Sequence, residues 1–138
     1  MPWIAGTFWE LPEPSSAAAG VYHEALDLDP PDALEDLATD HSQLGNIYAD
    51  AGDLDRALHH WREAIRYRET AGGTFGAGQT RFNVGVTLAR AGRFAEALLY
   101  AEAALRDFEP FGDRAAADIQ QTQQLIARIQ QARGSPGG

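Results

Sequence analysis

Apolar and small residues recur along most of this chain at a spacing of three to four, the periodicity of amphipathic helices. The clearest stretch is LGNIYADAGDLDRALHHWREA, residues 44–64. Leu44, Gly45 and Tyr48 precede a turn at Ala51-Gly52-Asp53, and Ala57, Trp61 and Ala64 follow it. Gly45 and Ala57 allow two backbones to approach, while Tyr48 and Trp61 fill the space beside them, so the stretch predicts two helices packed as a hairpin. The phrase returns 40 residues later: Leu44-Gly45 becomes Val84-Gly85, Ala51-Gly52 becomes Ala91-Gly92, Ala57-Leu58 becomes Ala97-Leu98, Ala64 becomes Ala104 and Gly72 becomes Gly112. Before it, Ala18, Tyr22, Ala25 and Pro30 repeat the spacing of Ala57, Trp61, Ala64 and Glu69. After it, Leu125, Ile126 and Ile129 continue the first-helix positions with no second helix following. The chain thus divides into a half repeat over residues 16–30, repeats over about 32–72 and 73–112, and a closing helix over 113–132.

Punctuation places six helices within a domain spanning residues 15–132. Ser15 or Ser16 caps a helix over about 16–28; Pro30-Pro31 with Asp32 ends it and starts another, which runs to about Ala51. Gly52 closes that helix and Asp53 caps the next, from Leu54 to about Ala71. Thr74 then caps a helix to about Ala91, a fifth runs from Phe94 to about Glu109, and Pro110 to Asp113 separates it from the last. That last helix carries glutamines opposite a stripe of Ala116, Ile119, Leu125, Ile126 and Ile129, the polar-faced cap that a helical solenoid needs at its end. Residues 1–14 break the pattern, setting Trp3, Ile4, Phe8, Trp9 and Leu11 among prolines and glycines. They are expected to strap the open side of the half repeat, formed by Ala18, Tyr22, Ala25 and Leu26, in the same chain or in a symmetric partner. Residues 133–138, RGSPGG, are expected to be disordered.

Leu44-Gly45 with Tyr48, followed by Ala57 and Trp61, resembles the tetratricopeptide repeat, a helix–turn–helix unit. The resemblance implies an all-α antiparallel helix-hairpin solenoid of about six helices and a protein-interaction role. The period of 40 exceeds the roughly 34 residues of the common repeat, and Leu44-Gly45-Asn46 is similar to the long repeats of kinesin light chains and of the Leu-Gly-Asn spindle-orientation adaptors. In those families groove asparagines hold extended peptides. By the resemblance the first helix of each unit lines the concave side, and the groove positions are Thr39, Ser42, Asn46, Ala49 and Asp50 in one unit and Gln79, Phe82, Asn83, Val86 and Arg90 in the next. Asn46 and Asn83 carry most weight, because an amide offers a donor and an acceptor together. They also match the asparagines of the chaperone-binding carboxylate clamp, but Ser42, Ile119 and Gln123 stand where that clamp has basic residues, which disfavours a ligand held by an acidic C-terminus.

Charge adds a second asymmetry. Residues 1–55 hold 12 carboxylates and no arginine, whereas residues 56–138 hold all 11 arginines and 8 carboxylates, giving the net −9. Without a clustered basic surface, nucleic acid and anionic membrane are disfavoured as partners. An acidic end that docks a basic partner is the sharper reading; a solvated face is the plainer one. The use of arginine with no lysine points to a bacterial source, and the lack of any long apolar run or signal-peptide pattern to a soluble cytoplasmic protein. The absence of cysteine excludes disulfides and thiolate metal sites.

The remaining polar clusters fall short of chemistry. His59 and Glu63 have metal-ligand spacing on one helix with His60 beside them, yet no motif supplies a third ligand, and histidine on an outer helix face is common. Asp50, Asp53 and Asp55 lack the glycine and terminal glutamate of a calcium loop. GGTFGAG, residues 72–78, is followed by Gln79-Thr80 rather than Lys-Ser/Thr and does not form a phosphate loop. The expectation is therefore a module without catalysis, metal or cofactor that binds a protein or peptide, the alternative being homodimerisation or regulation of a separate effector.

Overall fold

The computed structural model describes residues 14–134, Pro31 excepted, and the expectations for the N-terminal strap and for residues 135–138 fall outside this range. Six α-helices follow one another: α1 (Pro14–Leu28), α2 (Leu34–Asp50), α3 (Leu54–Thr70), α4 (Thr74–Arg90), α5 (Phe94–Phe108) and α6 (Ala116–Arg133). A 3₁₀ segment, Glu109–Ala115, joins the last two. Among the described residues there is no strand, and no helix is long and apolar enough to cross a membrane.

The turns are the most regular feature. Gly52, Gly72 and Gly92 have φ of 85°, 80° and 79°, so the chain leaves α2, α3 and α4 through a left-handed glycine, and Gly112, with φ of 58°, interrupts the 3₁₀ segment after α5. At the first three, the amide one residue further on reaches back to the carbonyl five residues earlier: Asp53 to Tyr48 at 2.8 Å, Gly73 to Arg68 at 2.7 Å and Arg93 to Leu88 at 2.9 Å. This six-to-one bond satisfies a carbonyl that the helix end leaves unpaired.

Helix starts depart from the sequence reading more than helix ends do. Asp53 caps α3 by accepting from the Arg56 amide at 3.2 Å, as its short carboxylate allows. Thr74, by contrast, is the first residue of α4 and Gly73 its N-cap, so the turn runs straight into the helix without a side-chain cap. Ser15 and Ser16 lie inside α1, which begins at Pro14. Asp32 precedes Ala33, the N-cap of α2, and its carbonyl accepts from Leu34. The segment after α5 forms 3₁₀ turns that break at Gly112, which delays α6 to Ala116. Arg133 belongs to α6, and Gly134 ends it.

Each helix packs on its neighbours in order, and the repeated small and large residues form the core, in two clusters. Ala57, Leu58, Trp61, Val84, Leu88, Ala97, Ala101, Leu125 and Ile129 make its main cluster. A smaller cluster of Ala104, Phe108 and Ala115, flanked by Phe75, Phe111 and Ile119, anchors the 3₁₀ segment. The two glycines at equivalent positions serve different contacts. A methyl on Gly45 would lie 2.3 Å from the Trp61 indole, whereas one on Gly85 would meet the Ala97 carbonyl at 3.4 Å and the Ala101 amide at 3.5 Å. Ala101 stands one repeat after Trp61. The close backbone approach expected at Gly45 is thus found at Gly85, and Gly45 instead makes room for a ring. Arg81 ties three helices, pairing with Asp107 of α5 at 2.5 Å and with Glu69 of α3 at 3.0 Å.

Candidate functional site

Alternate helices α4 and α6 touch directly and leave a groove between them. Two adjoining cavities fill it, sharing Phe82 and Gln121. The larger, about 560 Å³, has an apolar floor of Phe82, Val86, Ala89, Phe94, Leu125 and Ile129, with Arg90 and Arg128 among its polar lining. The smaller, about 360 Å³, is lined by Gln79, Asn83, Asp118 and the edge of Phe108 as well as the shared pair. Leu125 and Ile129 are themselves buried, so the floor is the outer surface of the core, held rigid by it.

All five candidates of the second unit, Gln79, Phe82, Asn83, Val86 and Arg90, line these cavities. Thr39, Ser42, Asn46 and Asp50 of the first unit lie along α2, apart from them. Asn46 is engaged within its own hairpin: its Oδ1 accepts from the Trp61 indole N–H at 3.2 Å. Ser42 is half-buried, with its hydroxyl oxygen buried and without a partner among the described residues.

Sequence reasoning missed the opposite wall, Gln121, Gln124, Leu125, Arg128 and Ala132 of α6. Transferring positions from unit to unit finds the same edge of each helix, but a groove has two edges. One 40-residue repeat back, Gln121, Gln124, Leu125, Arg128 and Ala132 fall on Arg81, Val84, Gly85, Leu88 and Gly92, none of which is among the groove candidates. The signal available was the run of glutamines broken by Arg128 on an otherwise apolar-striped helix.

A second cluster sits at the junction of α1, α2 and α3. It gathers all four histidines of the chain, His23, His41, His59 and His60, with Tyr48 and Tyr67. His60 is only 8% exposed, which corrects its assignment to an outer helix face. Its ring stacks on Tyr48 at 5.5 Å, and its Nδ1 lies 3.0 Å from Nδ1 of His41, which in turn stacks on Tyr67 at 5.7 Å. A bond between two such nitrogens holds one proton, so at most one can donate. Burial, then the positive potential of His41, His59 and His23, pulls His60 down to about 4 against the attraction of Glu63. His41 is lowered too, by burial first, with His59, Arg66 and His23 adding and Glu63 opposing. Among the described residues no group of three or more histidine or carboxylate side chains is arranged to hold a metal ion.

A stack of helical hairpins with glycine turns, a shared core and a lined groove defines a helical-repeat scaffold. The sequence profile of the tetratricopeptide repeat matches residues 35–109, just over half of the chain, and this chain belongs to that family. It is also 34% identical to the outer dynein arm-docking complex subunit 4 of Danio rerio over 68 residues, which are 49% of this chain and 14% of that protein.

Proposed function

We propose that this chain is a non-catalytic interaction module that takes an extended peptide or protein segment in the groove between α4 and α6. The observation that carries this reading is the groove itself: an apolar floor continuous with the core, rimmed by exposed Gln79, Asn83, Gln121 and Gln124, whose amides can pair with a peptide backbone. From Gln79 to Arg90 the α4 wall rises roughly 17 Å, room for about five residues of extended chain. Short random peptides selected on the immobilised protein should perturb the amide resonances of α4 and α6, and Gln121→Trp, at an exposed position shared by both cavities, should abolish their binding while leaving the melting temperature unchanged. Perturbations confined to α1–α3 would place the ligand elsewhere and end this reading.

One observation favours self-association as a second role. Val21 and Leu28, 64% and 83% exposed, lie seven residues apart on one side of α1, the spacing of a helix-packing stripe. Sedimentation equilibrium of the parent and of Leu28→Glu tests it: a dimer that the variant dissociates supports the role, and a monomeric parent excludes it.

A further inference from the structure

We infer that α1 is a pH-sensitive flap: in acid, protonation of the histidines where it meets α2 and α3 releases it, while the hairpins from α2 to α6 stay folded. The attachment of α1 is light. Neither core cluster includes a residue of α1, and among the described residues no ion pair involves it. Ala19, 4% exposed, is its only buried side chain among the described residues, and the one side-chain hydrogen bond found there from α1 to another helix joins His23 Nε2 and the Tyr48 hydroxyl at 3.2 Å. Pro30 and Pro31 follow α1, and proline lacks the amide hydrogen that would carry helical bonding onward, so α1 can leave without breaking the backbone ladder of α2. An element held this way opens at lower cost than the molecule unfolds.

The contact that α1 makes is built from histidines. From α1, the His23 ring stands 5.6 Å from that of His60. From α2, His41 Nδ1 lies 3.0 Å from His60 Nδ1, and Tyr48 stacks on the same ring. On α3 itself His59 is 5.2 Å away, Arg56 lies over Tyr48, and Glu63, the one carboxylate acting on His60, is already paired with Arg66 at 2.6 Å. α4, which also packs on α3, sends no titratable group to His60. Once His41 and His60 are both protonated neither Nδ1 can accept, and the 3.0 Å contact becomes a repulsion. The α2–α3 hairpin cannot yield, because Leu44, Ala57, Trp61 and Ala64 are buried in it. His23 is exposed on the lightly held helix, so the strain is relieved by moving α1.

The sign follows from linkage. Burial, then the neighbouring histidines, holds His60 at about 4 while α1 is docked; undocking returns it toward 6.5, so the open form takes up the proton first. The docked form has its full advantage above pH 6.5 and loses it as pH falls toward 4. Asp40 of α2 acts in the opposite sense. Burial, then Asp29 just beyond α1, raises it to about 6, so below that pH it is neutral and draws Asp29 in. Asp40→Asn keeps a neutral donor there at every pH and removes this opposing response.

The parent has no cysteine, which allows a clean test by thiol trapping. In the Asp40→Asn background, Ala19→Cys reports opening of α1, Leu28→Cys, exposed on the same helix, gives the unprotected rate at each pH, and Val84→Cys, buried in the main cluster, reports global unfolding. Reaction with a pyridyl disulfide, taken as the ratio of Ala19→Cys to Leu28→Cys, should rise roughly tenfold or more from pH 7.5 to pH 5, with a much smaller rise for Val84→Cys. Adding His60→Phe, which keeps the stack on Tyr48 without a charge, should remove most of the response. Hydrogen exchange of the α1 amides in the chain without a cysteine, corrected for the intrinsic effect of pH, gives the same reading if a cysteine variant fails to fold. A ratio that does not change with pH, an equal rise at Val84→Cys, or a response that persists in full with His60→Phe overturns the inference.

Discussion

Single side chains in this molecule have roles that their repeat-mates do not share. Gly45 and Gly85 occupy the same place in the repeat, yet one faces an indole and the other a backbone. Gly45→Ala should force the Trp61 ring aside and cost about 1–3 kcal/mol, whereas Gly85→Ala makes an ordinary contact and gains the helix preference of alanine, roughly 0.5–1 kcal/mol. Urea unfolding of the two variants decides this; equal destabilisation would mean that Gly45 does not seat the indole. The asparagines divide in the same way. Asn46→Ala strands the Trp61 N–H and should lower stability by about 0.5–1.5 kcal/mol, while Asn83→Ala, exposed on the groove, should leave melting unchanged and weaken any groove ligand. A thermal scan with a binding titration on each variant reads both effects.

At the scale of elements, the helices are closed by glycine and joined by ion pairs. Gly72 has open space around it, so Gly72→Ala brings no clash, only the strain of a left-handed alanine, about 1–2 kcal/mol. Its effect should appear in stability alone and match that of Gly52→Ala and Gly92→Ala, since the turns share one geometry. Arg81 is different in kind. Both it and Asp107 are largely shielded, at 18% and 16% side-chain exposure, and Glu69 is half-exposed. Arg81→Met would leave Asp107 without its cation, and a loss of about 1–3 kcal/mol is expected, below that of a fully buried pair. If Asp107→Asn in the same background does not recover part of it, the penalty does not come from the stranded carboxylate.

For the whole molecule, two groups of opposite sign shape stability below neutral pH. His60 titrates near 6.5 when unfolded and about 4 when folded, so its contribution is complete above pH 6.5 and is lost as pH falls through that window. At about 1.4 kcal/mol per unit, the full loss is on the order of 3 kcal/mol. Asp40 runs the other way. Burial, then Asp29 and Asp36, raises it from 3.8 to about 6, so its favourable contribution is present at low pH and is lost as pH rises through 6. The stability advantage of the parent over His60→Phe should therefore shrink from neutral pH toward about pH 5, and that of Asp40→Asn over the parent should shrink over the same range. Urea midpoints at stepped pH measure both; curves parallel to the parent would show that neither group titrates differently on folding.

The helical repeat, its 40-residue period, the glycine stops, and the buried Leu44, Ala57, Ala64, Val84, Ala97 and Ala104 were all determined by the sequence alone. Each depends on neighbours within one hairpin, where helical spacing and a left-handed turn leave few alternatives. One wall of the candidate groove was legible for the same reason, because Gln79, Phe82, Asn83, Val86 and Arg90 share an edge of a single helix. Tertiary structure decided what depends on how separate helices are rotated and set against one another. It placed Arg128 and Gln121 opposite that edge, turned the Asn46 amide inward to Trp61, and drew His23, His41 and His60 from three helices into one cluster. Those meetings join residues far apart in the chain, and the angle at which packed side chains hold two helices is carried by the core as a whole rather than by any local stretch.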